Sequence, residues 1–235
     1  MNIKNRIKTL IFGYKASEKT YIRHLRRQGV NIGVGVRIFR PFNTDIDVQN
    51  PHLLSIGDYV QMTGPVTILT HDYSWSVLKR KYGFIYGNQR KTIIGNNCFI
   101  GWGATILGGS HIGDNVIIGA NSVVTGKVES NSVYAGNPAK KIMTLEEYKE
   151  KRQERQLKEA KEYVLEYKKR FKKLPPEEEL DEYFFLFRPT TLNKKIKLKL
   201  KLMGNYEQSY ELLRSQEPYF KNYQEFLEFC LNKGK

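Results

Sequence analysis

A chain of 235 residues, 40% hydrophobic and 27% charged, is long enough for one sizeable domain or a domain with an appendage, and its composition excludes fibrous and disordered classes. No apolar run is long enough to span a membrane, and the two distant cysteines, Cys98 and Cys230, argue against a disulfide framework and for a reducing, cytoplasmic setting. The net charge of +15 is uneven: residues 1–143 hold 18 Lys/Arg against 7 Asp/Glu and residues 144–235 hold 21 against 17, so the first part favours anionic partners.

In chain order, the opening MNIKNRIKTLIFGYKAS sets basic residues before an apolar patch, as a secretory leader does. Its run TLIFGY is too short for one, and no small-x-small cleavage site follows closely. Residues 17–29, SEKTYIRHLRRQG, read as a helix with Ser17 as its cap, Gly29 at its end and basic residues in its last turn. From Ile94 the sequence falls into sixes, with aliphatic residues at 94, 100, 106, 112, 118 and 124. The fifth place of each six, from Cys98 to Val128, is small or β-branched. Neither a helix nor a simple strand has that period. Six with Gly second describes short flat strands joined by tight corners, each strand sending one aliphatic side chain inward. The same phase runs through Ile32, Ile38, Ile56, Met62 and Ile68, with polar Thr44 and Asn50 between them as an irregular turn. From Ile68 to Ile94 is 26 residues, four sixes plus two, so an insertion loop, 70–92, breaks the phase.

Downstream, Leu157, Ala160, Val164, Tyr167, Phe171 and Leu174 are spaced by threes and fours. That predicts a helix with one apolar face, stopped by Pro175 and Pro176 and packed on the coil or on another subunit. KKIKLKLKL (194–202) alternates strictly, the pattern of a strand with a lysine face; contact with a membrane surface or polyanion is its sharper reading. The tail FKNYQEFLEFCL predicts another helix, with Cys230 as a packing residue.

The sixes, together with FNTDID (42–47), THDYSWS (70–76) and AGNPAKKI (135–142), resemble the hexapeptide-repeat acyltransferases. Within them the chain is similar to the galactoside and maltose O-acetyltransferase branch, especially the O-acetyltransferases of capsular and surface polysaccharides. The resemblance covers roughly residues 17–142. It implies a mainly β fold: a left-handed parallel β-helix with an N-terminal capping helix and a C-terminal, mostly helical extension. The expected domains are 1–31 (cap), 32–142 (β-helix acyltransferase domain with its insertion loop) and 143–235 (helical, basic extension). It also implies a homotrimer, whose site forms between neighbouring coils.

Four histidines are candidates for chemistry. His24, among Arg23, Arg26 and Arg27, reads as a solvated surface residue, His52 as structural in an irregular turn, and His111 as a corner residue. His71 stands where the coil ends and the insertion begins, and loops on rigid scaffolds often carry function. In the resembled family this place belongs to the catalytic histidine. A sugar hydroxyl is a weak nucleophile, so a neutral imidazole that takes its proton during attack on an acetyl thioester supplies what the reaction lacks. The resemblance further implies acceptor contacts at Asn43, with Asp45 and Asp47 on the same side if the segment is extended; these acids would bind sugar hydroxyls or orient His71. Tyr73 and Trp75 of the loop are candidates to bind the acceptor as well, while an Asn/Asp corner turn is the plainer reading of Asp47.

By position in the resembled family, the pantetheine arm of acetyl-CoA would meet Trp102, Gly103, Ala120, Asn121, Thr125, Asn137 and Pro138, with Lys127, Lys140 and Lys141 facing its phosphates. Two departures stand out: Trp102 replaces a small hydroxyl residue, and Gly126 replaces a common lysine, for which Lys127 can compensate. The GNPAK turn reads as the corner that closes the helix. No metal is implied, since the four histidines lack clustered ligand spacing, unlike the zinc-dependent carbonic anhydrases of this fold. The reading is therefore an acetyl-CoA-dependent O-acetyltransferase acting on a carbohydrate hydroxyl of a surface polysaccharide or its precursor. It would be cytoplasmic or peripheral to the inner face of the membrane, with possible contacts to membrane or anionic polymer. The alternatives are N-acyl transfer to an amino sugar and a non-catalytic β-helix that binds acidic glycan. Nucleic-acid binding is disfavoured, because the basic residues form no known recognition module.

Overall fold

The computed structural model describes residue 8 and residues 10–187, 189 and 191–232. The basic opening at residues 1–7 and 9, which includes most of MNIKNRIK, and the tail end at 233–235 lie outside the described residues. The chain divides into two compact units, Met1–Tyr148 and Lys149–Lys235.

In the first unit a 3-10 turn, Gly13–Ala16, leads into α1 (Glu18–Gln28). Ser17 and Thr20 form a reciprocal capping box at its start, and Gly29 ends it at a φ of 103°, a left-handed conformation that glycine adopts without strain. Beyond it the chain winds into a coil of three strands per turn. The first turn holds β1 (Asn31–Ile32), β2 (Arg37–Ile38) and β3 (Asp45–Ile46); the second β4 (Leu54–Ile56), β5 (Gln61–Met62) and β6 (Thr67–Ile68). The third holds β7 (Thr92–Ile94), β8 (Phe99–Ile100) and β9 (Thr105–Ile106); the fourth β10 (His111–Ile112), β11 (Val116–Ile118) and β12 (Val123–Val124). β13 (Lys127–Val128) and β14 (Ser132–Gly136) start a fifth. Stacking the turns gives three parallel sheets, which we call A (β1, β4, β7, β10, β13), B (β2, β5, β8, β11, β14) and C (β3, β6, β9, β12). The architecture is a left-handed β-helix with an N-terminal helix.

The hexad phase is the core. Ile38, Ile56, Met62, Ile68, Ile94, Ile100, Ile106, Ile112, Ile118 and Val124 are all buried, each stacked on its counterpart one turn away. In the first turn the rung of sheet C is Ile46, stacked on Ile68 and two residues past the hexad phase, while Thr44 and Asn50 are buried beside the turns that flank it. Its irregularity lies at the corners, where Pro41–Asn43 and Pro51–Leu53 form 3-10 turns opened by proline. The corner between sheets A and B is held by an amide ladder: the Asn97 side chain donates to Asn115 (2.8 Å) and that of Asn115 to Asn131 (2.9 Å).

Three expectations change here. GNPAK is a hairpin rather than a helical corner, because β14 pairs antiparallel with β15 (Ala139–Thr144) around Asn137–Pro138. His111 lies in strand β10, exposed, not at a corner. His24 is half-buried, its ring stacked on Tyr14 at 3.8 Å, so it is not simply solvated. His52 sits in the Pro51–Leu53 turn, exposed.

The insertion contributes α2 (Trp75–Tyr82), which has no buried residue. From β15 the chain enters α3 (Leu145–Phe171). In the second unit Ala160 and Val164 pack with Leu180, Leu186, Phe187, Phe226, Leu227 and Cys230, and Cys230 is a core residue as read. The segment 194–202 is a helix, α4 (Lys194–Lys201), not a strand. Asn193 caps it by accepting from the Ile196 amide (3.0 Å), and Lys and Leu are good helix formers. Ile196 and Leu200, four apart, bury together while Leu198 stays 61% exposed, so the helical period decides over the alternation. α5 (Tyr206–Ser215) and α6 (Tyr223–Leu231) follow. With these helices, "mainly β" describes only the first unit. No helix among the described residues is long and apolar enough to cross a membrane.

Candidate active site

The insertion leaves the coil at the corner where sheet C gives way to sheet A. Asp47 follows β3 and His71 follows β6 one turn on, so the ladder Ile46–Ile68 brings residues 24 apart in sequence side by side. Nδ1 of His71 lies 2.7 Å from Oδ2 of Asp47. The same oxygen accepts the Thr70 amide (3.0 Å) and the Thr70 hydroxyl, and Oδ1 accepts the Gln49 amide (2.8 Å). Burial works to raise the Asp47 pKa, but the bonds from the Thr70 hydroxyl, the Gln49 amide, His71 and the Thr70 amide outweigh it, and the net direction is down. Asp47 is therefore a carboxylate at neutral pH and can only accept. The proton between the two groups belongs on Nδ1, which leaves the Nε2 lone pair of His71 free. The Asp47 side chain is 5% exposed and that of His71 16%, so the carboxylate is sealed behind the imidazole.

The loop closes over this pair from its own base. His71 bridges Gln89 in antiparallel fashion, the Arg90 amide donates to the Thr70 carbonyl (2.7 Å), and the Asp72 amide donates to the Asn88 carbonyl (3.2 Å). Asp72 accepts from the Ser74 amide (2.9 Å) and from the Asn88 side chain. Below, a Cβ on Gly108 would stand 3.0 Å from the Thr70 carbonyl carbon and 3.2 Å from the His71 amide nitrogen, so glycine lets the next turn approach closely. Tyr73 meets the His71 ring edge-on at 5.4 Å, is held by Gln49 (3.0 Å) and contacts Trp75 at 5.6 Å.

The other candidates are dispersed. Asn43 ends the 3-10 turn and is exposed, so the segment is not extended there and strand alternation does not align Asn43 with the two acids. Asp45 pairs with Lys15 at 2.5 Å. Trp102 and Gly103 occupy the corner between sheets B and C; Ala120 and Asn121 occupy it one turn later, with the Asn121 amide donating to the Trp102 carbonyl (2.7 Å). The Trp102 ring is 43% exposed and lies 4.7 Å beneath the Arg40 guanidinium. Thr125 stands on the far side of sheet C, in register with Asp47 through the ladders Ile46–Ile68–Ile106–Val124. Lys127 is exposed on β13 beside His111, and Asn137, Pro138 and Lys140 are exposed on the terminal hairpin. Lys141 pairs with Glu129 at 2.7 Å. Within one chain, then, sheet C separates the His71 corner from the Trp102–Asn121 corner. Sequence reading missed Thr70, Gln49, Asn88, Arg90 and Gly108, because pairings across turns leave no local pattern. No cluster of three or more His, Cys, Asp or Glu residues arranged for a metal occurs among the described residues.

Residues 91–126 match the family described as bacterial transferase hexapeptide (six repeats). The chain is 41% identical to protein CapG of Staphylococcus aureus over 127 residues, 54% of this chain and 73% of that protein. It is 35% identical to the galactoside O-acetyltransferase of Escherichia coli (strain K12) over 114 residues, 48% of this chain and 54% of that enzyme. A solved maltose O-acetyltransferase from Clostridium difficile 630 aligns at 29% identity with a TM-score of 0.39, over 60% of this chain and 84% of that one. The chain belongs to the hexapeptide-repeat acetyltransferase family. The chain spans only about half the length of the galactoside enzyme, 54%.

Proposed function

We propose that the protein transfers an acetyl group from acetyl-CoA to a carbohydrate hydroxyl of a surface or capsular polysaccharide or its precursor, with His71 as general base. The observation that carries this is the Asp47–His71 pair at 2.7 Å, which fixes the imidazole with Nε2 as its basic nitrogen at the foot of the loop. Kinship with a galactoside O-acetyltransferase supports a sugar hydroxyl as acceptor.

Acetyl-CoA supplies the acetyl group as an already activated thioester. Residues of this chain suit such a ligand. Gly126 offers a bare corner where a Cβ would meet nothing within 4 Å, Ala120 is exposed, Trp102 is partly exposed with Arg40 over its ring, and Lys127 and Lys140 give exposed positive charge. His71 Nε2 takes the proton from the acceptor hydroxyl as its oxygen bonds to the acyl carbon. The C–S bond breaks, and the same nitrogen returns the proton to the departing thiolate. Asp47 holds the ring through Nδ1 and stabilises the imidazolium that exists between these transfers. Tyr73 beside His71, and Trp75 against Tyr73, supply aromatic surface suited to a sugar.

A homotrimer is part of the same reading. Sheet C keeps the His71 corner apart from the Trp102–Asn121 corner within one chain, so a groove that unites them draws on a second copy. The loop adds apolar surface that its own chain leaves open: Val77 is 68% exposed, Phe84 65%, Ile85 59% and Tyr86 61%. The test is mass spectrometry of reactions with a panel of hydroxyl and matched amine acceptors. A gain of about 42 daltons, the increment of replacing one hydrogen by acetyl, on hydroxyl acceptors alone supports the reading; a gain confined to the amines contradicts it.

A further inference from the structure

Between α1 and the first turn of the coil lies an open groove of about 670 Å³. Lys19, Arg23, Arg26 and Arg27 line it from the helix, at spacings that place them on one side, and Arg37 faces them from β2. Its apolar surface comes from Ile22 and Val36. The acid in the lining, Glu18, is already engaged: it accepts from Arg37 Nε (2.7 Å) and from the Ile38 amide (2.9 Å). Arg26 is engaged as well, donating to the carbonyls of Ile32 (3.0 Å) and Gly33 (2.6 Å), which clamps the helix to the coil. That leaves Lys19, Arg23 and Arg27, with no acidic partner among the described residues. Lys19 with Arg23 and Arg23 with Arg27 are like-charged i,i+4 neighbours, an arrangement that costs stability unless an anion relieves it.

The groove's shape narrows the class of anion. It is concave, and Val36 is only 6% exposed, so the apolar residues do not protrude as they would to enter a bilayer. Its lining has no aromatic side chain on which a nucleic-acid base could stack. Its volume accommodates several sugar units and far exceeds one phosphate ion. We propose that the groove binds an oxyanion-bearing glycan, one with carboxylated or phosphorylated sugar units, and so holds an acidic acceptor chain at a distance from His71. The part about the acceptor rests on the O-acetyltransferase reading; binding itself does not.

The test is calorimetric titration of the full chain, without acetyl-CoA, using hexagalacturonate, pentamannosyl phosphate and neutral maltohexaose. Wild type, Arg23→Gln/Arg27→Gln and His71→Ala are compared at low and raised salt. At least one of the two anionic sugars is expected to bind wild type and His71→Ala alike, to weaken with salt and to bind the double variant about tenfold or more less tightly, with maltohexaose silent. Which of the two binds identifies carboxylate or phosphate as the source. Equal binding by the double variant, or binding of neither anionic sugar, overturns the proposal. Failure of acetyl transfer in the acceptor panel, with binding intact, would instead count against the catalytic reading alone.

Discussion

Replacing Asp47 by Asn tests how the carboxylate supports His71. The two carboxylate oxygens accept four bonds: Thr70 amide, Thr70 hydroxyl and His71 Nδ1 on one, the Gln49 amide on the other. An amide has one oxygen, so whichever way Asn turns, its NH₂ faces a donor that Asp47 satisfied. The negative charge that stabilises the imidazolium is lost as well. A hydrogen bond to a charged group contributes about 1.5–3 kcal/mol, which corresponds to roughly a 10- to 100-fold fall in kcat. Because the Asp47 side chain is 5% exposed and sits behind the ring, KM for the acceptor should change by no more than about twofold. The assay is steady-state release of free thiol from acetyl-CoA with a sugar acceptor. Circular dichroism and sizing establish that the variant is folded and assembled. A kcat within about twofold of wild type, or a loss confined to KM, would refute the positioning role.

The same carboxylate makes an acid-stability prediction. Its folded pKa lies below the ordinary 3.8, so the stability it contributes is present above that value and is lost as pH falls through the folded pKa. Acid denaturation followed by circular dichroism should show a shallower pH dependence below about pH 4 for Asp47→Asn than for wild type. Burial pushes the Cys98 and Cys230 thiols up to about 11, so the folded protein should resist an aromatic disulfide reagent at pH 8 and react only on unfolding. Rapid labelling of the native chain would contradict both burials. Ile100→Ala removes a fully buried rung stacked between Met62 and Ile118 and should cost about 2–5 kcal/mol in denaturant titration; a loss under about 1 kcal/mol would mean that the ladder does not carry the fold.

The coil was legible because its physics is periodic. One inward aliphatic per six residues recurs from Ile94 to Val124, and the first turn departs from that phase, with Ile46 rather than Thr44 stacked on Ile68. The cap of α1 was legible for the same kind of local reason, in Ser17 and Gly29. The strand expected at 194–202 failed because the sequence satisfies two periods at once, and burial of Ile196 with Leu200 selects the helical one. At the site, His71 could be singled out from its place at the edge of the insertion. Of its environment, Asp47 was already among the acids expected to orient it, whereas Thr70 and Gln49 were not singled out, because they gather on Asp47 through the stacking of turns and the fold of the corner rather than through a sequence pattern. The extended segment expected at Asn43 is absent for a local reason: Pro41 opens a 3-10 turn there.

The account turns on His71. His71→Ala, assayed for acetyl transfer in a folded and assembled protein, is the most direct measurement. With its general base removed, kcat should fall by about 10²- to 10⁴-fold while acetyl-CoA still binds. Acetyl transfer at near wild-type rate would contradict the assignment of the base and the mechanism built on it.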